Sequence, residues 1–191
     1  MSDHPERLTL ADDALVAPDI AEIMAREEAE LGFVPNVLRV LALREPYLRA
    51  WAAMMDDLVA GPSALTEVQR ELIAVVVSAT NRCHYCMLSH GAKLGVLTGD
   101  PVLVDQLMTN HRAALLPPLE RALADLAVAV TRRPDDVGAA DWLPLRELGV
   151  ADADIFTAIA VAGMFNMTNR VLTAVAAEPN PEYHDIGRNR P

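Results

Sequence analysis

Apolar residues recur every three to four positions along nearly the whole chain, and no segment alternates with a period of two for long enough to form a strand. This periodicity predicts helices over 18–31, 35–44, 46–60, 66–79, 83–97, 101–110, 118–131, 141–148 and 152–176. Prolines stand at the openings of several of them, where the missing N–H costs nothing. The 66–79 segment begins with a capping-box pattern, Thr66 followed by Gln69, and then runs Leu72-Ile73-Ala74-Val75-Val76-Val77, apolar on every side, so it is expected to be buried. Thr80-Asn81-Arg82 interrupts that run and offers Thr80 or Asn81 as the N-cap of the next helix, which should end at Gly99. The fold class is all-α, a single helical bundle. A thioredoxin fold, which needs βαβ units, is disfavoured.

At 191 residues and 52% hydrophobic, the chain suits one domain, 1–191, with a core over about 18–176, an N-terminal arm 1–17 and a C-terminal tail 177–191. A core of that size needs no cysteine staples, which leaves the thiols free for chemistry. With 27 acidic against 16 basic residues, the net charge of −11 argues against a nucleic-acid partner. The opening Met1-Ser2-Asp3-His4-Pro5-Glu6 lacks a basic region followed by an apolar stretch, and no run approaches a membrane span. No membrane partner is therefore expected, and a reducing cytoplasm, in which the cysteines would rest as a dithiol, is the expected location.

The chemistry is concentrated in Cys83-His84-Tyr85-Cys86-Met87-Leu88-Ser89-His90, which holds the chain's only two cysteines. On a helix Cys83, Cys86 and His90 fall on one stripe. Cα atoms at i and i+3 are about 5–6 Å apart, within the range of a reversible disulfide. Both sulfurs would sit near the helix start, where free N–H groups and the positive dipole end favour a thiolate. His90, one turn beyond Cys86, is close enough to exchange a proton directly or through a water. Glu71 lies beside Val68, Leu72 and Val75 rather than with Glu67 and Arg70. It is expected to be partly desolvated, with its pKa raised toward that of a useful base. The plainer alternative is an ordinary first-turn glutamate favoured by the dipole.

Glu71, Cys83-x-x-Cys86 and His90 together resemble the active-site signature of the alkylhydroperoxidase D family, part of the carboxymuconolactone decarboxylase-like superfamily. Glu30-Leu31-Gly32-Phe33-Val34-Pro35-Asn36-Val37 and Phe165-Asn166-Met167-Thr168-Asn169-Arg170 are similar to its peroxidase-related branch. The likeness runs roughly from Ile20 to Ala176. It implies a thiol peroxidase or disulfide reductase with no metal, no flavin and no other cofactor, acting on a small hydroperoxide and drawing electrons from a thiol or lipoyl-type donor. By the same resemblance Cys86 attacks the peroxide and Cys83 resolves it as a disulfide. Glu71 would be the base that draws the Cys86 proton by way of His90 or a water. Family members are generally oligomers, often trimers, so a homo-oligomer is implied. This chain departs from alkylhydroperoxidase D in carrying Tyr85 where that enzyme has a histidine, with His84 one place earlier.

A weak internal echo supports a duplicated helical plan: Leu72-Ile73-Ala74-Val75 precedes Asn81-Arg82 much as Ala158-Ile159-Ala160-Val161 precedes Asn169-Arg170. Asn166, Asn169 and Arg170 share a face of an apolar helix, which invites a role at the site or between subunits. A helix end meeting solvent or a neighbouring carboxylate is the simpler expectation, and these residues stay outside the catalytic set. Three alternatives remain open. One is zinc held by both cysteines and His90, with His84 or His111 as fourth ligand. Another is an acid–base enzyme such as a carboxymuconolactone decarboxylase, using Glu71 and His90 alone. The third is a redox sensor that does not turn over.

Overall fold

Prolines at the first turns of α1 (Pro18–Leu31), α3 (Glu45–Met55), α6 (Pro101–Asn110) and α7 (Pro118–Arg132) open those helices as the pattern predicts. Between them lie α2 (Asn36–Leu41), α4 (Glu67–Asn81), α5 (His84–Thr98), α8 (Ala139–Glu147) and α9 (Asp152–Ala174). The computed structural model describes residues 8–188. The Met1 to Glu6 stretch read above for targeting lies outside them, as does the very end of the tail. Among the described residues there is no strand, and the fold is an all-α bundle.

α4 is the axis of the bundle, packing against α5, α6, α7 and α9. Its start is fixed by the expected capping box: Thr66 Oγ1 accepts from the Gln69 N–H at 3.2 Å, and Gln69 Oε1 accepts from the Thr66 N–H at 2.9 Å. From Gln69 to Ser78 every residue is buried, as a helix apolar on all sides requires. The large aliphatics there contribute about 1.5–3 kcal/mol each on burial. One apolar cluster joins α4 to α6, α7 and α9, and a second joins α1, α2 and α3 to the start of α5 and the end of α9. The two cysteines belong to the second.

The largest departures from the periodic reading fall in three places, while other ends move by a residue or two. The predicted 35–44 helix divides at Ala42–Arg44 into a 3-10 turn, and the predicted 46–60 helix ends in a π turn at Asp56–Ala60. Arg70, reaching from α4, donates to the Gly61 carbonyl at 2.6 Å just beyond that turn. α4 also runs to Asn81, past the expected stop, so neither Thr80 nor Asn81 caps α5. Thr80 spends its hydroxyl on the Val76 carbonyl of its own helix, and Asn81 turns its amide toward α9. α9, at 23 residues, is long and apolar enough to cross a membrane by length and composition, contrary to the reading that no run approaches that length. Half of its most apolar window is buried against the rest of the bundle.

The chain beyond α9 folds back over the second cluster. Asn180 accepts from the Asn36 N–H at 2.7 Å and donates to the Val34 carbonyl at 3.0 Å, and Asn36 donates to the Glu178 carbonyl at 3.1 Å. The Val34-Pro35-Asn36 motif therefore anchors the tail. Tyr183 packs edge-on against Phe33 and Tyr85, and Tyr85 Oη accepts from the Val37 N–H at 3.0 Å. Burial pushes the Tyr183 hydroxyl up to about 12. Gly187, at φ +71°, lies so close to α5 that a Cβ would stand 2.6 Å from the Ala92 carbonyl oxygen.

Candidate active site

The turn between α4 and α5 sets the thiols in place. Arg82, in the left-handed region at φ 56°, closes α4, and the Cys83 N–H returns to the Ser78 carbonyl at 2.9 Å. Cys83 itself is the N-cap of α5 and Cys86 lies in its first turn, so the chain turns within two residues from one helix into the next. Both cysteines are free thiols and each is 1% exposed.

Their surroundings separate them. The Cys86 thiol donates toward Cys83 and holds it down to about 6; burial opposes this, while the Cys86 N–H, the Thr173 hydroxyl and the charge of His90 assist. Cys86 is pushed well above the ordinary thiol range, first by its bond to Cys83 and then by burial, despite relief from Asn169 and Ser78. Cys83, at the helix start, is the thiol whose surroundings favour the ionised form.

Glu71 and His90 meet across the α4–α5 interface, Nδ1 to Oε2 at 2.7 Å. Glu71 is completely buried, and the His90 ring packs edge-on against Phe165 at 4.6 Å. The carboxylate's other oxygen accepts no hydrogen bond, and Lys93 Nζ stands 3.5 Å from it while pairing with Glu67 at 2.9 Å. This reverses one expectation. Burial does push the Glu71 carboxyl up, but His90 and Lys93 outweigh it and hold the group below its ordinary value. Glu71 is an ionised partner for His90 rather than a carboxyl poised near neutrality.

Behind the thiols lies an amide network. Asn81 Nδ2 donates at 3.0 Å to both Asn166 Oδ1 and Asn169 Oδ1, and Asn169 donates to Ser78 Oγ at 3.1 Å. The two asparagines of the internal echo thus bond to each other. Asn169 is buried beside Cys86, so the expectation of a helix end meeting solvent or a carboxylate is wrong for it. Arg170 turns back to Asn166, with Nη1 on its side-chain oxygen at 2.8 Å. The i, i+3 spacing of two amides on an apolar helix was the available signal. Lys93, three residues past His90 on α5, also belongs to the site beyond the predicted set, and its signal in the sequence is a lone cation on that stripe.

A cavity of about 510 Å³ opens at the start of α5, lined by Cys83 together with Arg82, His84, Thr173, Glu178 and His184 among others. Cys86 and His90 are not on its lining. Among the described residues no three His, Cys, Asp or Glu side chains gather as a metal site. His111, named above as a fourth zinc ligand, pairs with Asp125 at 3.2 Å.

Against known proteins, the model of the carboxymuconolactone decarboxylase family matches residues 45–95, a span that contains Glu71, both cysteines and His90. The chain belongs to the alkylhydroperoxidase D-like group of that superfamily. A peroxidase-related protein of Ralstonia eutropha JMP134, described as an alkylhydroperoxidase AhpD core, is 35% identical over 97% of this chain and 98% of its own, with a TM-score of 0.93. A peroxidase-related protein of Silicibacter sp. TM1040 is 39% identical over 98% of this chain and 99% of its own, with a TM-score of 0.91. The debrominase Bmp8 shares the fold at 17% identity, over 90% of this chain and 91% of its own, with a TM-score of 0.74. None of the curated proteins matches.

Proposed function

We propose that the protein is a thiol peroxidase that reduces a hydroperoxide with the Cys83–Cys86 pair. The observation that carries this is a low-pKa thiol at the wall of a cavity, Cys83, with a second thiol beside it and a charged imidazole–carboxylate pair within electrostatic reach. The peroxidase-related names of the two relatives above 30% identity point the same way.

The roles of the thiols are the reverse of those implied by the resemblance. Cys83 lines the cavity and has the surroundings that favour a thiolate, so it attacks the terminal peroxide oxygen: the S–O bond forms as the O–O bond breaks, and the alkoxide takes a proton relayed through water from the His90 imidazolium behind the cavity wall. Glu71 stabilises that imidazolium and is not itself the proton acceptor. The Cys86 thiol then displaces hydroxide from the Cys83 sulfenic acid; its proton leaves with the hydroxide as water, and the pair is left as a disulfide, its two electrons having passed to the oxygens of the cleaved peroxide. A dithiol donor, of lipoyl or similar type, restores the pair by exchange.

Anaerobic titration tests this. One equivalent of an organic hydroperoxide should remove two thiols from the reduced protein and yield one alcohol; an unchanged thiol count would refute the proposal. Cys83→Ser separates it from the acid–base reading, because a decarboxylase using Glu71 and His90 survives that change.

A further inference from the structure

The cavity beside Cys83 is set apart from the acidic character of the chain. The protein carries −11 overall, yet Arg82, His84 and His184 stand together on this lining, and Arg82 and both imidazoles are exposed. Elsewhere the arginines that reach carboxylates do so in plain ion pairs, such as Arg39 with Asp13, Arg49 with Asp19 and Arg146 with Asp152. The Arg82 side chain has no hydrogen-bond or ion-pair partner among the described residues. Its place in the chain leaves it little choice, since it is held in the left-handed conformation that ends α4, directly before the reacting cysteine. Glu178 puts one carboxylate on the same wall, offset by the Arg82 guanidinium, and the two imidazoles add polar ring nitrogens beside it.

We infer that the cavity selects an anionic substrate: a hydroperoxide that carries a carboxylate, paired with Arg82 and hydrogen-bonded by His84 and His184, with its peroxide oxygen at Cys83. An unpaired guanidinium binds a carboxylate through two parallel N–H bonds. A cavity of about 510 Å³ admits a molecule of small-drug size, larger than hydrogen peroxide requires. The charge also serves the chemistry, because a carboxylate brought toward a thiolate without a cation between them is repelled. This selection rests on the peroxidase reading for its substrate, but the anion preference of the cavity can be measured without any peroxide.

Iodoacetate and iodoacetamide provide that measurement. In both, the Cys83 thiolate forms an S–C bond as iodide leaves, and the reagents differ chiefly in the carboxylate. Alkylation rates at Cys83, localised by mass spectrometry on the full chain, should give an iodoacetate-to-iodoacetamide ratio that falls about three- to tenfold in Arg82→Gln, the range for one solvent-facing charge at contact. Arg82→Lys should restore most of it. An equal ratio in wild type and Arg82→Gln overturns the inference, as does failure of both reagents to reach Cys83. With cumene hydroperoxide bearing a para-carboxylate and with its methyl ester, Arg82→Gln should lower kcat/KM for the acid more than for the ester, through KM. A shifted alkylation ratio in a protein that reduces neither peroxide would leave the anion preference standing and refute only the peroxidase assignment.

Discussion

Glu71→Gln isolates the charge of the buried carboxylate from its shape. Glutamine fills the same volume and can still accept from His90 Nδ1, which now lies 2.7 Å from Oε2, so packing and ring orientation are kept. A hydrogen bond to a charged group is worth about 1–2 kcal/mol more than its neutral counterpart, which lowers the imidazolium–thiolate population by about 5- to 30-fold. The sign is fixed: a less favoured imidazolium makes the Cys83 thiolate less favoured, and its titration moves up from about 6. At pH 5, where little thiolate is present in either protein, the full 5- to 30-fold deficit in the rate of thiol loss should appear. At pH 7 the deficit should shrink to about 1.4- to fourfold, because wild type is already mostly ionised there, and near pH 9 it should close. The assay is stopped-flow thiol consumption by excess hydroperoxide on pre-reduced, anaerobic protein at these three pH values. A deficit of the same size at every pH, or none at pH 5, would refute the coupling of Glu71 to Cys83 through His90.

The exchanged thiol roles give a second test: Cys86→Ser should retain a single stoichiometric reaction with hydroperoxide and accumulate a sulfenic acid that dimedone traps, while Cys83→Ser should lose both, and trapping at Cys86 would restore the opposite order. In wild type the rate of that first reaction should rise with pH through about 6 and level off above about 7, since the depressed thiol is deprotonated beyond its own pKa; a midpoint near 9 would contradict the N-cap thiolate. The depressed Glu71 carboxyl contributes stability above the ordinary carboxylate value of 4.5 and loses it as pH falls through its lower folded value, so urea midpoints should drop in that acidic window and drop less in Glu71→Gln. Asn169→Ala leaves Ser78 and Asn81 short of a buried partner and should cost about 1–3 kcal/mol by urea titration, with loss of Asn81's bond partly covered by Asn166.

How far the sequence reached depends on what kind of information each feature needs. The all-α bundle was legible because amphipathic period is a local property, and α4 announced its burial through six apolar residues in a row after a capping box. The meeting of Glu71 with His90 was legible as far as a family pattern implies contact between residues 19 apart. The sign of the Glu71 shift was not. It depends on Lys93, which a one-dimensional reading places on a neighbouring helix with no stated distance, and desolvation alone would have pushed the carboxyl upward. The cap of α5 failed for a similar reason: Thr80 and Asn81 are good caps in isolation, but each finds a better partner, one in its own helix and the other on α9. Asn169 was set aside because an amide on an apolar helix has many surface explanations, and only the packing of α9 on α4 makes it a neighbour of Cys86.

An ionised Glu71 changes what its partner must do. A carboxylate held below its ordinary value is a poor proton acceptor at neutral pH, so Glu71 serves as a fixed negative charge against His90 Nδ1, and under the proposed mechanism the proton passed on is the imidazole's. Lys93 closes the circuit from the other side. Were His90 to lose its proton with no cation near, a fully buried carboxylate would stand without compensation, a state costing several kcal/mol; Lys93 at 3.5 Å supplies the missing charge from a side chain that is 40% exposed. Lys93→Met should therefore strengthen the hold of Glu71 on the His90 proton and delay its release to the leaving alkoxide. The expected result is a lower plateau for the peroxide reaction above neutrality, with no fall as pH rises further, while the Cys83 alkylation midpoint stays near or below about 6. A Lys93→Met protein whose peroxide reaction keeps the wild-type plateau rate would show that Glu71 needs no second cation.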